Sequence, residues 1–397
     1  MKVAKRLNNI LIIISIVLAI ILGLYFPKIV DNLAFIGTIY INLLKFMIIP
    51  IIFTSIMVSI YHSVGKKNKF IFKTILLFTL MFIVTFIITS LLVFLLSPGS
   101  GFSYKVIEWA GEVTKLNFQD IIINLFPSSI GSLLVNNSLF ATIIFAIIFG
   151  FATTKVNDGK KLIDIIEVIK NVLYKIIEYI MYLTPLAIIS LLGEAISKYG
   201  NLIFDMGFKY IGMAYLSSII TMIIVMILPA YLIGKVSPIK YIKNNLKVWL
   251  MTISTCSSVA TLPVTLKTCE EDFKINKDVT SLTVPLGTTI HMCGGAVSFA
   301  LLSIFCMQLF NMDITLSKYL LMIFMALIIN MSAPGIPSGG IVIGATYLEL
   351  LGIPLTFIGF YSSIYKLLDM AYTTLNVTGD ITANIIMNKI YNKKLKS

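Results

Sequence analysis

Long uncharged apolar stretches recur along this 397-residue chain, and nothing else in the sequence limits its fold so tightly. A helix needs about 20 mostly apolar residues to cross a hydrocarbon core of roughly 30 Å. Runs of that scale cover Leu7–Pro27, Phe46–Gly65, Thr74–Tyr104, Ile121–Thr154, Tyr210–Gly234, Val248–Leu266, Val279–Asn311 and Tyr319–Leu348. Only 12% of residues are charged, against about a quarter in an average soluble domain, and mean hydropathy is +0.97. This composition excludes a disordered chain, and four cysteines are too few for a disulfide scaffold. A net charge of +13 would suit a nucleic-acid binder, but the charges lie between apolar blocks. No nucleic-acid partner is expected; the lipid bilayer is. The chain reads as an all-α, polytopic membrane protein. Its first run has a basic flank but no A-x-A cleavage site, and further spans follow it, so it reads as a retained helix.

Loop charge orients the chain. Lys2, Lys5 and Arg6 precede the first run; Lys66, Lys67 and Lys69 follow the second; Lys155, Lys160 and Lys161 follow the fourth. Lys235, Lys240 and Lys243 lie in a later loop, and Lys389, Lys393, Lys394 and Lys396 near the end. Between Gly99 and Asp120, Lys105 and Lys115 are offset by Glu108, Glu112 and Asp120. The positive-inside rule then places both termini in the cytoplasm, with an even number of crossings.

Two segments do not read as ordinary spans. Ile253 to Pro263 is dense in small hydroxyl residues, and Asn330 to Gly340 is broken by Pro334, Gly335, Pro337, Gly339 and Gly340. Backbone freed at membrane depth is tolerated only inside protein or beside a watery cavity. Paired interruptions of this kind point to a transporter's binding site. Each taken alone is also compatible with a kinked span packed on small residues. Two, each next to a long span, favour paired re-entrant hairpins.

The last span carries the charge. Tyr365, Asp369, Tyr372, Asn376 and Asp380 fall at i, i+4, i+7, i+11 and i+15, which puts all five on one helix face. That stripe suits an ammonium group at Asp369 and a cation at Asp380 and Asn376. A structural Lys366–Asp369 pair at i, i+3 is the competing reading, and it leaves Asp380 without a partner. The preceding long span holds Gly287, Thr288, Thr289, His291, Cys293, Gly294 and Gly295, a run that predicts unwound backbone able to coordinate a cation. His291 reads equally as a proton carrier or as a histidine hydrogen-bonded between helices. Cys256, Cys269, Cys293 and Cys306 form no C-x-x-C pair, so no transition-metal site is expected. Neither G-x-x-x-x-G-K-[ST] nor G-x-S-x-G occurs, which argues against an ATP-driven pump and against an enzyme.

Ser257–Ser258 with Thr261–Leu262–Pro263, Pro285–Leu286–Gly287, Gly335–Ile336–Pro337, and Asp369–Met370 with Asn376–Val377–Thr378–Gly379–Asp380 carry a resemblance. Leu44–Lys45 to Pro50 and Pro98–Gly99 add landmarks. The chain resembles a divergent bacterial member of the dicarboxylate/amino acid:cation symporters, the glutamate transporter homologues. The resemblance implies eight transmembrane helices plus two re-entrant hairpins with tips near Ser258 and Gly335, inverted repeats, a homotrimer and elevator motion. It divides the chain into scaffold helices (1–69 and 105–200) and transport-domain elements (70–104 and 201–397). It also implies an amino acid substrate at Ser257, Ser258, Gly335, Asp369, Tyr372, Thr373 and Asn376. Cation ligands are implied at Gly287, Thr289, His291, Asn376 and Asp380, with no cofactor beyond a co-transported proton or sodium ion. In this comparison Asp369 stands where the family binds the amino group and Asn376 where it binds the α-carboxylate.

Three departures from the family pattern shape the functional expectation. Tyr372 and Cys256 stand where relatives carry an arginine for a side-chain carboxylate, so a bidentate grip is missing. His291 and Cys293 replace an asparagine and an aspartate that bind sodium, and Gly295 replaces a threonine. Phe78, Met81 and Phe82 stand where a tyrosine, a threonine and a serine would face the ion. The expectation is a secondary transporter of a small neutral amino acid with reduced sodium coupling, and with His291 or Lys366 as proton carrier or fixed cation. A sodium-coupled acidic amino acid or dicarboxylate symporter, or a receptor- or channel-like relative without coupled transport, are the competing readings.

Overall fold

A computed structural model describes residues 2–64, 69–102, 139–199, 202–330, 339–355 and 357–394. The regular structure of these described residues is all helical, with no strand among them. In order they form α1 (Lys2–Tyr25), α2 (Pro27–Val64), α3 (Lys69–Leu96), α4 (Leu139–Thr153), α5 (Gly159–Met181) and α6 (Thr184–Tyr199). Helix α7 (Leu202–Thr221) continues through a π-turn (Met222–Ile227) into α8 (Leu228–Leu232). Then come α9 (Pro238–Thr255), α10 (Ser258–Lys267), α11 (Lys277–Ile290), α12 (Cys293–Leu309), α13 (Leu316–Asn330), α14 (Gly339–Leu350) and α15 (Phe357–Lys394). Among these residues three stretches are long and apolar enough to cross a membrane: Phe70–Leu96, Phe204–Leu232 and Lys277–Leu309.

Compact packing divides the chain into two units. Unit 1 comprises Met1–Gly65, Gly101–Lys209 and Ile341–Tyr365; unit 2 comprises Lys66–Ser100, Tyr210–Gly340 and Lys366–Ser397. In unit 1, α1 packs on α6, and α2 on α4, α5 and α6. Helix α2 is longer than its uncharged run suggests. It starts at Pro27, whose fixed φ suits a first helical position, and runs through Pro50 without ending. Ser190 Oγ ties α2 to α6 by accepting from Gly37 N at 3.1 Å and donating to Leu33 O at 2.8 Å.

Unit 2 holds the polar residues singled out in the sequence. In α3 the buried side chains include Phe78, Met81, Phe82, Thr85, Phe86, Thr89 and Val93, a helical stripe. Its opposite face is equally apolar, with Leu76, Leu80, Val84, Leu91 and Leu95 exposed. A helix that is hydrophobic all round while one face stays open fits a lipid-facing position rather than a water-facing one. The buried face of α3 packs on α12. Helix α12 is buried along nearly its whole length, so its polar groups face protein. In α7 the π-turn runs straight into Pro229, a residue with no N–H to donate.

Candidate substrate and cation site

Helix α15 is the spine of the site. From Asp369 to Met387 most of its side chains are buried, including Asp369, Thr373, Asn376, Thr378, Asp380, Thr382 and Asn384. Buried polar groups must find partners, and these find them on two flanking elements. On one flank lies α9: Tyr241 Oη meets Thr382 Oγ1 at 2.6 Å, Trp249 Nε1 donates to Thr378 Oγ1 at 2.9 Å, and Thr252 Oγ1 meets Thr374 Oγ1 at 2.8 Å. The partners descend α15 as α9 ascends, so the two helices run antiparallel. One further turn brings the end of α9 level with Met370 and Asp369.

That end is the interruption expected around Ile253–Pro263, and it is two residues wide. Helix α9 stops at Thr255, and α10 begins at Ser258 and packs back on α9. Cys256 takes a left-handed conformation (φ 48°), uncommon for a residue with a Cβ. Ser257 is the N-cap of α10: its Oγ accepts from Ala260 N at 3.2 Å. Ser258 is buried in the first turn. The break therefore turns a helix N-terminus, an end suited to anions, toward the Asp369 end of α15.

On the other flank of α15 lie α11 and α12. Asn384 Nδ2 donates to Thr280 Oγ1 at 3.0 Å, and Asn376 Oδ1 accepts from Gly294 N at 2.7 Å. The unwound backbone expected across Gly287–Gly295 is confined to His291 and Met292; Gly287 remains inside α11, and Gly294 and Gly295 inside α12. The glycines serve close approach instead. A methyl group on Gly294 would overlap the backbone of Tyr372, and one on Gly295 would overlap Asn330 Oδ1.

At the His291–Met292 break the cross-helix tie is ionisable. His291 Nδ1 lies 2.9 Å from Asp380 Oδ1, and Nε2 lies 3.0 Å from Cys293 Sγ. The imidazole stacks on the Phe78 ring, with centroids 4.4 Å apart and planes at 15°. Asp380 thus has a partner, which the one-helix reading did not supply. Its other oxygen, Oδ2, has none among the described residues. Phe78, Met81 and Phe82 are all buried in unit 2 and offer no oxygen donor.

The remaining residues fall as follows. Thr373 Oγ1 donates to Asp369 Oδ1 at 3.1 Å, one turn from the Asn376–Gly294 bond. Tyr372 is buried on the same stretch of helix. Lys366 is half-buried, and the ion pairs among the described residues do not join it to Asp369. Gly335 lies outside the described residues, as does the side chain of Thr289. A cavity of about 320 Å³ opens between α7, α9 and α15, lined by Met222, Trp249, Ile253 and Met370. Its apolar walls suit no charged substrate.

The chain matches the model of the sodium:dicarboxylate symporter family over residues 9–390. It is 26% identical to a proton/glutamate-aspartate symporter of Bacillus subtilis (strain 168), covering 97% of this chain and 95% of the relative. It is 27% identical to a proton/sodium-glutamate symport protein of Geobacillus stearothermophilus, over 95% and 93% of the two chains. A C4-dicarboxylate transport protein of Bacillus subtilis (strain 168) is 25% identical over 99% and 95%. The family and these relatives are membrane transporters rather than enzymes. On a match spanning nearly its whole length, the chain belongs to the sodium:dicarboxylate symporter family.

Proposed function

We propose that this chain is a secondary transporter that moves a small neutral amino acid together with a cation. The observation that carries the reading is the buried face of α15. There a carboxylate (Asp369, bonded to Thr373) lies about two turns from an amide (Asn376), and the α9–α15 register carries the helix N-terminus at Ser257–Ser258 toward the Asp369 end of that face. An α-amino acid presents matching charges: its ammonium group fits Asp369, and its carboxylate fits Asn376 and the first turn of α10. The proposed site also includes Tyr372 and, from the second interrupted segment, Gly335. Eight spans with two re-entrant hairpins, cytoplasmic termini, a homotrimer, and a mobile part (70–104 and 201–397) moving against a scaffold (1–69 and 105–200) complete the proposal.

A neutral side chain is favoured because neither Tyr372 nor Cys256 offers a guanidinium. An uncompensated carboxylate in a dry site costs several kcal/mol, more than one phenol contact returns. The second reading, an acidic substrate, draws on the relatives, which are named for glutamate, aspartate and C4-dicarboxylates. It also draws on Lys366, six residues before Tyr372 on α15. For the coupling ion, a proton is placed ahead of sodium, because His291 rests on Asp380 and Phe78, Met81 and Phe82 lack oxygen ligands. Uptake into proteoliposomes tests all three points, using labelled serine, alanine and aspartate under imposed proton or sodium gradients. Gradient-driven accumulation of the neutral amino acids supports the proposal. Aspartate accumulated in preference to them establishes the second reading, and no gradient-driven uptake of any amino acid refutes the proposal.

A further inference from the structure

We infer that His291 is a tethered occupant of the cation position at Asp380: the imidazole fills a slot built for it, and sodium has no place there. The inference rests on the reading of Asp380 as a position that takes a cation in coupled transport. What it adds is the identity of the occupant, and the slot itself carries it.

Both ring nitrogens are engaged, Nδ1 with Asp380 Oδ1 at 2.9 Å and Nε2 with Cys293 Sγ at 3.0 Å. One ring face is covered by Phe78, parallel to within 15°. Two glycines leave the necessary room: a methyl on Gly379 would overlap imidazole Cε1, and one on Gly287 would overlap the Asp380 carboxylate. The imidazole is fully enclosed. A side chain held by two directional contacts, a stacked ring and a glycine wall is in a fixed position, not a passing rotamer.

The same geometry disfavours a hard cation. Such ions are held by several oxygens, and this neighbourhood offers few. Asp380 Oδ1 is taken by the imidazole, and Asn376 Oδ1 is taken by Gly294 N–H. Cys293 Sγ is a soft donor, and Phe78, Met81 and Phe82 present only carbon and thioether atoms. Asp380 Oδ2 is the one side-chain oxygen left at this carboxylate. A single proton on the Nδ1–Oδ1 line satisfies both partners, whichever of them formally holds it.

Emptying the slot is the test, read by thermal unfolding of the full-length protein in detergent and so independent of transport. His291→Gly is expected to melt below the parent, and millimolar imidazole to raise its melting temperature while leaving the parent unchanged. The double variant His291→Gly/Asp380→Asn should lose that rescue. Exchange of choline for sodium should shift the parent and Asp380→Asn by the same amount. Should His291→Gly fail to fold, the sodium comparison of parent with Asp380→Asn decides alone. A folded vacated variant that imidazole does not stabilise overturns the inference. So does a sodium-dependent rise in the parent that Asp380→Asn abolishes. Absence of uptake in liposomes with imidazole rescue intact would instead count against the transport proposal.

Discussion

Two helix interruptions flank α15, and they have different chemistry. At Cys256–Ser257 the break carries a local cap: Ser257 Oγ accepts from Ala260 N of its own helix, in a run of small hydroxyl residues. At His291–Met292 the break is satisfied across helices, by an imidazole reaching a carboxylate 89 residues further along the chain. The first turns the N-terminus of α10 toward the Asp369 end of α15. The second closes on itself, with both nitrogens of His291 and the face of Phe78 engaged. On the proposed reading, the first break serves the substrate and the second is filled, which retains a substrate site while altering ion coupling.

The largest effect is expected at the open side. Asp369→Ala removes a buried charged acceptor for the substrate ammonium group; at about 1.5–3 kcal/mol per such bond, amino acid affinity should fall roughly 10- to 150-fold in calorimetric titration. Unchanged affinity would remove Asp369 from the site. Next comes the closed side: Gly294→Ala drives a methyl into the Tyr372 backbone, which cannot rotate away. It should destabilise the protein by roughly 1–3 kcal/mol, as overpacking does, seen as a lower melting temperature. A neutral outcome would mean that α12 and α15 are not in backbone contact.

Two smaller effects sharpen the contrast at the first break. Ser257→Ala removes the N-cap of α10 and should cost about 1 kcal/mol, measured by thermal unfolding, with weaker substrate binding if that helix end holds the carboxylate. Cys256→Gly relieves a left-handed residue and should be neutral or stabilising by up to about 1 kcal/mol. A strongly destabilised Cys256→Gly would show that the thiol, not the backbone, sets this turn.

Much of this architecture is legible in the sequence, because span length and small-residue breaks are local properties. The clustering of Asp369, Asn376 and Asp380 on one face follows from helical spacing, and the structure buries all three. Two things were not legible. Helix α2 extends well before Phe46 because Lys28, Asp31 and Lys45 end an uncharged run without ending a helix. The partner of Asp380 lies on another helix, and no spacing rule links position 291 to position 380. Glycines could have hinted at it: Gly287 and Gly379 sit where a methyl would strike the Asp380 carboxylate and the imidazole, and only the fold gives them that meaning.

The claim that one break keeps its substrate chemistry while the other has exchanged an ion for a side chain is tested most directly by a linkage measurement. Amino acid affinity is titrated at constant pH and ionic strength across a range of sodium concentrations, with choline as replacement. By linkage, the slope of log affinity against log sodium counts the ions taken up with substrate. With the Asp380 position filled by His291 and the Phe78, Met81 and Phe82 side chains offering no oxygen, the slope should be no greater than about one ion. A slope of about two or more would mean that sodium still binds where the imidazole lies, and would contradict the account.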